Sequence, residues 1–266
     1  MMAMVLGWGV TVAAVVALSL PGAASAGASE ACPGLVAGGP PFVVPAALAK
    51  DEVGITFVGH ATFLIESPGG VRAATDYNDY VRPDAAPDVA TMNKAHTTHF
   101  SYRPDPAIRH VLRGWDAAGG PASHDLEVGD MRIRNVVTNI RTWSGGTEHD
   151  GNSIFVFQTA DLCIAHLGHL HHTLTPEHLK QIGRIDVVLV PVDGGYTLDT
   201  EGMVEVLKAL NAPLMIPMHY FGQATLGRFV ERVRREWPVA FHDAPSIVVS
   251  RASLPQAPRF LVLPGR

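Results

Sequence analysis

The chain has 266 residues with a formal net charge of −5 at neutral pH, and 17% of its residues are charged. A mildly acidic chain without basic runs argues against nucleic acid as a partner. Removal of a short N-terminal segment would leave ample length for one large α/β domain with a substantial core.

The first 26 residues have the pattern of an export signal. An apolar stretch at residues 4–20 is broken by a Pro-Gly pair, and a small-residue cleavage pattern ends at Ala26. No Lys or Arg precedes that stretch, and about 17 apolar residues is near the lower limit for spanning a bilayer, so an uncleaved membrane anchor is the alternative. Cleavage predicts an exported protein, periplasmic or secreted, without stable membrane insertion.

Residues 27–50 are rich in Gly, Pro and Ala and are predicted to form a flexible leader to one domain at residues 51–266. Export would allow a disulfide between Cys32 and Cys163, but Cys163 lies in an apolar run, which favours a small buried side chain. The sequence leaves that pairing open.

Apolar alternation and turn residues predict strands through the first half of this domain, at residues 54–58, 61–66, 71–75, 89–92, 131–138, 153–158 and 162–167. Helical spacing of Ile108, Val111, Leu112 and Trp115 predicts a helix at residues 105–117. In the second half, helices at residues 176–183, 200–210 and 225–237 alternate with strands at 187–190 and 214–217, and strands at 247–250 and 260–263 follow. This order predicts an α/β fold, a four-layer αββα sandwich of two sheets with helices outside.

Histidines stand directly after several predicted strands. His96 and His99 follow the strand at residues 89–92, while His169 and His219 follow the later strands. Two histidines three residues apart could simply form hydrogen bonds within a loop. Four histidines at strand ends favour a metal site instead, because loops on a rigid sheet are where folds present metal ligands.

The order of these motifs resembles the metallo-β-lactamase fold superfamily, in the branch that contains L-ascorbate-6-phosphate lactonase and many uncharacterised hydrolases. The matching segments are Thr75-Asp76, Lys94 to His99, His166 to His172, and Ile216-Pro217-Met218-His219-Tyr220, with Gly59-His60-Ala61-Thr62 and the Gly151-Asn152-Ser153 run. The resemblance implies a metal-dependent hydrolase in which Asp76 supports the metal-binding loop through hydrogen bonds.

The chain departs from the family signature H-x-H-x-D-H at two positions. Lys94 replaces the first His and Thr98 replaces the Asp, while His169 stands where relatives have a metal-bridging Asp. A further family His, expected before the Gly-Asn run, is replaced by a Thr-Asn-Ile-Arg segment at residues 138–141. These changes predict a mononuclear site in place of the family's dinuclear one.

The remaining ligand set is His99, His169 and His219, with His96 as a weaker ligand from the dismantled half. Imidazoles suit one divalent ion, Zn first, with Fe, Ni or Cu as alternatives. The Lys94 ammonium is predicted to occupy the vacated ion position, because a cation is repelled by a second cation beside it.

Other polar residues near these motifs receive structural interpretations. His60 in a tight turn and His166 on an apolar strand are predicted to fix the fold, and Asp193, which precedes two glycines, is predicted to shape a turn. Between the adjacent histidines at the end of the His169 loop, His171 and His172, we expect His172 to face the pocket.

The predicted function is hydrolysis of an ester, lactone or phosphoester in a small-molecule substrate by a metal-bound hydroxide. Lys94 would stabilise developing negative charge. The alternative is a catalytically inactive periplasmic protein that binds a metal or an anion, because the carboxylate ligands of the family are missing. The sequence predicts neither the substrate nor the oligomeric state.

Overall fold

The computed structural model describes residues 47–142 and 144–265, so the predicted signal, nearly all of the predicted leader and Cys32 lie outside the described residues. Two mixed β-sheets form the framework. The six-stranded sheet contains, in spatial order, β13 (Ser246–Ser250), β1 (Glu52–Gly59), β2 (Thr62–Glu66), β3 (Arg72–Ala74), β4 (Val89–Met92) and β5 (His110–Arg113). The eight-stranded sheet contains β12 (Val239–Phe241), β14 (Arg259–Val262), β11 (Leu214–Met218), β10 (Val187–Pro191), β9 (Leu162–His166), β8 (Thr147–Thr159), β7 (Met131–Arg141) and β6 (Asp125–Val128).

The two sheets stack through a shared apolar core. Alternate residues of each strand point into it, as the period-two geometry of a strand requires. The six-stranded sheet contributes Val53, Ile55, Phe57, Phe63 and Ile65, and the other sheet contributes Ile133, Phe155, Phe157, Ile164, Leu189 and Ile216. Phe57 and Phe63 stack with ring centroids 4.7 Å apart.

Three α-helices of the described chain cover the outer face of the eight-stranded sheet: α1 (Pro176–Ile182), α2 (Thr200–Leu210) and α3 (Gln223–Val233). Thr175 and Asp199 cap α1 and α2, accepting hydrogen bonds from the backbone N–H groups of His178 and Gly202. The α/β sandwich prediction is confirmed. The outer face of the six-stranded sheet is covered by irregular chain, which supplies Tyr77, Phe100, Ile108 and Trp115 to a small cluster.

The predicted helix at residues 105–117 is wrong. Its centre is β5, which pairs in parallel with β4 from Val89 opposite His110 to Met92 opposite Arg113. The pairing satisfies the backbone groups of β4, so the sheet edge overrides a helical spacing that rests on only four apolar residues. Two further strands, β6 and β12, were not predicted; both are short and half exposed, so neither carries a strong apolar pattern.

The parallel strands place several chain segments at one end of the sandwich. Strands β9, β10 and β11 are mutually parallel in the larger sheet, and β3 and β4 are parallel in the smaller one. Their carboxyl ends lead into the loops that carry the predicted metal ligands. Ligand sites form at the carboxyl ends of such strands because the loops converge there.

No helix among residues 47–142 and 144–265 is long and apolar enough to cross a membrane. Cys163 lies half-buried on β9, with its Sγ 3.8 Å from the amide nitrogen of Gln158.

Candidate metal centre

The structure brings the four predicted ligands together. The ring centroids of His96, His99, His169 and His219 lie 4.4 to 5.7 Å apart in every pairing. The Nε2 atoms of His99 and His219 are 3.0 Å apart, as are those of His96 and His169. Four imidazoles from three separate loops therefore form one cluster, in which their Nε2 atoms meet in two close pairs.

Two of these imidazoles form hydrogen bonds through Nδ1 with buried carboxylates. The Nδ1 of His99 donates to Asp76, and the Nδ1 of His219 donates to Oδ1 of Asp193 over 2.9 Å. A carboxylate behind a histidine fixes the tautomer, so that Nε2 keeps its lone pair for a metal. The predicted supporting position of Asp76 agrees with this contact.

The other two imidazoles have neutral partners. The Nδ1 of His96 lies 2.7 Å from the hydroxyl of Thr98, and the Nδ1 of His169 lies 2.5 Å from Nε2 of His171. Thr98 stands at the family's Asp position, and here it orients a histidine through its hydroxyl. Its neutral hydroxyl lacks the negative charge of a carboxylate ligand.

The arrangement fits a cation by the chemistry of its donors. His99 and His219 both donate from Nδ1, so two lone pairs face each other across 3.0 Å, which is repulsive unless a cation lies between them. Two nitrogens on a tetrahedral zinc ion stand about 3.3 Å apart at Zn–N distances of about 2.0–2.1 Å. The protein spacing is close to that value.

Burial favours the neutral, metal-binding form of His99 and His169. Burial lowers the pKa of His99 and of His169 well below 6.5, with smaller contributions from neighbouring histidines. Burial opposes ionisation of Asp193, but hydrogen bonds from His219 and Thr197 outweigh it and lower the pKa of this carboxyl. Burial raises the pKa of Asp76 to about 6 among the protein groups alone, and a nearby cation would favour its charged form.

The sequence did not predict that the side chain of His60 joins the histidine cluster. The predicted turn role is met by the backbone, since His60 has a φ of 51° and its carbonyl accepts from the N–H of His219 over 2.7 Å. The side chain nevertheless joins the cluster, because ligand atoms of His60, His96, His99 and His219 all lie within 4.8 Å of one another. The Nε2 of His60 also contacts the Thr98 hydroxyl at 2.8 Å. Its place directly after β1, at the same sheet edge, was the available signal.

Neither predicted catalytic candidate lies in the position expected. The Lys94 ammonium pairs with Glu148 and is half exposed, so its charge is offset by a carboxylate. His171, and not His172, forms part of the neighbouring cavity wall. His171 is fixed between His169 and the backbone N–H of Arg141, whereas the Nε2 of His172 has no hydrogen-bond partner among the described residues.

Two other structural interpretations are met. The Nε2 of His166 donates to the carbonyl of Ala61 at 2.9 Å, and its Nδ1 accepts from Gly168, so it is a satisfied core histidine. Asp193 shapes its turn by accepting from the backbone N–H groups of Gly195, Tyr196 and Thr197, besides orienting His219.

Two buried asparagines support the metal-binding loops. Asn93 donates to Asp76 at 2.9 Å and accepts from the N–H of Ser153 at 2.8 Å. Asn152 accepts from the N–H of His169 at 2.7 Å. Both amides touch Gly168, which has a φ of 61°; a Cβ there would lie 2.5 Å from each. Glycine is therefore required at this bend.

A cavity of about 520 Å³ opens beside the cluster. It reaches His96 and His169 and is otherwise lined mainly by the end of β7 and the loop after β10, including Ile140, Arg141 and Tyr196. The cavity is large enough for a small-molecule substrate.

Comparisons with known proteins agree with this arrangement. Residues 54–219 match the beta-lactamase superfamily domain. A UPF0173 metal-dependent hydrolase of Thermoplasma volcanium is 25% identical over 195 residues, covering 64% of this chain and 84% of the relative, and one of Methanosphaerula palustris is 26% identical over 184 residues, covering 62% and 83%. A Thermotoga maritima structure described as a Zn-dependent hydrolase of the metallo-beta-lactamase superfamily has 28% identity and a TM-score of 0.59, covering 80% of this chain and all of that one.

Proposed function

The chain belongs to the metallo-β-lactamase superfamily and is a metal-dependent hydrolase, and we propose that it cleaves an ester, lactone or phosphoester bond at a site holding one divalent ion. The observation that carries this proposal is the cluster of imidazoles at one end of the sandwich, in which the Nε2 atoms of His99 and His219, and those of His96 and His169, lie 3.0 Å apart. Zinc is the proposed ion, because imidazole nitrogens at this spacing suit tetrahedral coordination.

His96, His99 and His219 are the proposed common ligands, because they belong to both groupings of four described above. We assign the fourth position to His169, which stands at the position of the family's bridging Asp and whose Nε2 lies 3.0 Å from that of His96. The Nδ1 of His171 accepts from the backbone N–H of Arg141, so binding of a metal through Nε2 of His169 requires His171 to give up that contact and accept the Nδ1 proton of His169 at its own Nε2. His60 is the weaker choice, since its Nε2 is already engaged by Thr98. His96 is therefore proposed as a full ligand, in place of the weaker role that the sequence predicts for it.

A bound divalent ion would supply Lewis acidity and would lower the pKa of a water ligand toward about 7. The protein's own groups fix the geometry. Asp76 and Asp193 accept hydrogen bonds from the Nδ1 atoms of His99 and His219 and hold their rings in place. The cavity beside His96 and His169 receives the substrate and limits the approach of bulk water.

The substituted positions support the proposal of a single ion. A second site would need the family's carboxylates and two further histidines, but the chain has Thr98, His169, Lys94 and the 138–141 segment in their places. The Lys94 ammonium, paired with Glu148, is not a metal ligand at neutral pH.

Elemental analysis and turnover test the proposal together. We expect close to one zinc ion per purified chain, hydrolysis of at least one compound in an ester, lactone and phosphoester panel, and loss of both on chelation. His219→Ala should abolish metal retention and turnover, whereas His166→Gln, which alters a buried histidine outside the cluster, should keep the metal. Two tightly held ions per chain would contradict the mononuclear site.

A second candidate function rests on the same substitutions. With Thr98 and His169 in place of carboxylates, the site could hold an ion without turnover, as a periplasmic metal- or anion-binding protein. Tight zinc binding by the wild type without metal-dependent turnover across the panel would establish that function.

Export remains a proposal supported by the pattern of residues 1–26. Expression of the full chain in a bacterium, followed by fractionation and N-terminal sequencing, should find the mature protein outside the cytoplasm beginning at Gly27. An intact N-terminus in the membrane fraction would favour the uncleaved anchor.

A further inference from the structure

The cavity beside the histidine cluster contains an unusual cation. Arg141 ends β7 and lies on the cavity wall, in the segment where the family's additional His is missing. Its Nη2 donates to the carbonyls of Gly195 at 3.0 Å and Thr197 at 3.3 Å. These two carbonyls hold the guanidinium in place before any ligand arrives.

Two of the three guanidinium nitrogens of Arg141 are unused as donors among the described residues. Its Nε and Nη1 donate no hydrogen bond within the described part of the chain, and no carboxylate there forms an ion pair with it. A guanidinium presents five N–H groups in a planar fork that matches the oxygens of a carboxylate or a phosphate. A pre-positioned fork with unused donors is suited to capture such a group.

The balance of charge around the cavity favours an anion. Among the described residues that line it, the charged side chains are Arg141 and Glu148, and the Glu148 carboxylate is neutralised by Lys94. Arg141 is therefore the charged side chain of this wall that no described carboxylate offsets.

We propose that this cavity selects substrates that carry a carboxylate or phosphate group, which Arg141 binds while the scissile bond lies against the histidine cluster. The proposal rests on the proposed hydrolase function and deepens it by naming the substrate class. Ile140 and Tyr196, on the same wall, contact the apolar part that joins the two ends of the substrate.

The spacing of the site separates the two ends. The backbone N–H of Arg141 donates to Nδ1 of His171, and His171 in turn contacts Nδ1 of His169. The imidazole of His171 thus lies between the backbone of Arg141 and His169, while the guanidinium is held at the carbonyls of Gly195 and Thr197. An anionic group at Arg141 is distinct from the bond at the metal, so a bifunctional small molecule is expected.

Binding of matched probes tests the inference without any need for turnover. Calorimetric titration of the zinc-loaded protein would compare monomethyl glutarate, which has one carboxylate, with neutral dimethyl glutarate; phenyl phosphate would test the phosphate source. Arg141→Gln should weaken binding of the anionic probes about 10- to 100-fold, the usual value of a charge-assisted contact, and leave the neutral probe unchanged. Arg235→Gln, at an exposed arginine that lines neither described cavity, is the matched control.

A second pair of variants leaves Arg141 and its loop contacts intact. Thr142 lies next to Arg141 on the cavity wall, so Thr142→Glu places a competing carboxylate there, and Thr142→Gln has the same size without the charge. We expect Thr142→Glu to weaken anion binding at least about 10-fold relative to Thr142→Gln. Metal content measured on every variant separates this effect from loss of the ion.

Turnover distinguishes failure of the inference from failure of the proposed function. The substrates are the mono-4-nitrophenyl ester of glutaric acid and its methyl ester, which differ in the carboxylate charge and by one methyl group. Preferential binding of the anion without hydrolysis of either compound would leave the anion site standing and remove the hydrolase proposal. Equal affinity for anionic and neutral probes, or equal binding by Thr142→Glu and Thr142→Gln, would overturn the anion site.

Discussion

Asp193 combines two tasks, and replacing it with Asn separates them. Its Oδ2 accepts three backbone N–H groups of the turn, and its Oδ1 accepts from Nδ1 of His219. An amide has only one oxygen, so it can accept either from the backbone N–H groups of the turn or from His219. The turn requires that oxygen for three donors, so in Asp193→Asn the NH2 group should face His219.

The expected magnitude follows from the tautomer of His219. An amide donor at Nδ1 drives the imidazole proton to Nε2, the nitrogen that faces the cluster. Loss of a carboxylate behind a metal-binding histidine typically weakens metal affinity about 10- to 100-fold. This corresponds to about 1.4–2.7 kcal/mol of binding free energy. Loss of negative charge at the turn would also lower the free energy of unfolding by about 1–2 kcal/mol, because charge-assisted hydrogen bonds are roughly twice as strong as neutral ones.

Competition with a zinc-binding dye measures the Kd, and urea unfolding of the metal-stripped protein measures the turn contribution separately. Asp130→Asn is the matched control, since Asp130 also holds a turn, accepting from Gly69 at 2.7 Å, but contacts no histidine. Both variants should be less stable, and only Asp193→Asn should bind zinc more weakly. An unchanged zinc Kd in Asp193→Asn would refute the assigned orientation of His219.

Three further outcomes are expected. His169→Ala should lose zinc on dialysis while His60→Ala retains it; the reverse result in the same elemental analysis would transfer the fourth ligand position to His60. Gly168→Ala should lower the free energy of unfolding by at least about 1 kcal/mol more than Gly119→Ala, because both glycines have positive φ but only at Gly168 would the Cβ meet buried amides; equal urea midpoints would contradict this packing. Lys94→Gln should reduce kcat by less than about 10-fold, since its charge is already offset, whereas a loss of 10²-fold or more in steady-state assays would restore the oxyanion role.

The sequence predicted the parts of the fold that leave a local pattern. Strands such as β4 and β10 are short apolar runs ended by turn residues, and their bounds agree within about one residue with the structure. The helix predicted at residues 105–117 is wrong because the segment pairs in parallel with β4. The apolar spacing within the segment carries no information about that partner strand. Cross-strand pairing is a tertiary property and leaves little trace within the strand itself.

Some members of the candidate site could likewise be predicted from the sequence, and others could not. His96, His99, His169 and His219 could be placed together because each directly follows a strand at the same edge of the sandwich. The side chain of His60 could not, since its tight turn already explained its position.

The partner of Lys94 was equally hidden. Glu148 lies 54 residues further along the chain, on β8, and nothing in the local sequence indicates that the two side chains meet. Which of His171 and His172 turns inward likewise depends on Arg141, a residue on a different strand.

The histidine cluster spans both sheets, so an ion bound there would act as a cross-link. His96 and His99 extend from the smaller sheet, while His169 and His219 extend from the larger one. This cross-link would join positions 219 − 96 = 123 residues apart. Unlike a disulfide, it would stabilise the folded chain more as free ion becomes available, by about 2.7 kcal/mol when the ion is at 100 times its Kd. Resistance to proteolysis should therefore rise and fall with ambient zinc, which makes metal supply a determinant of how long the folded chain persists.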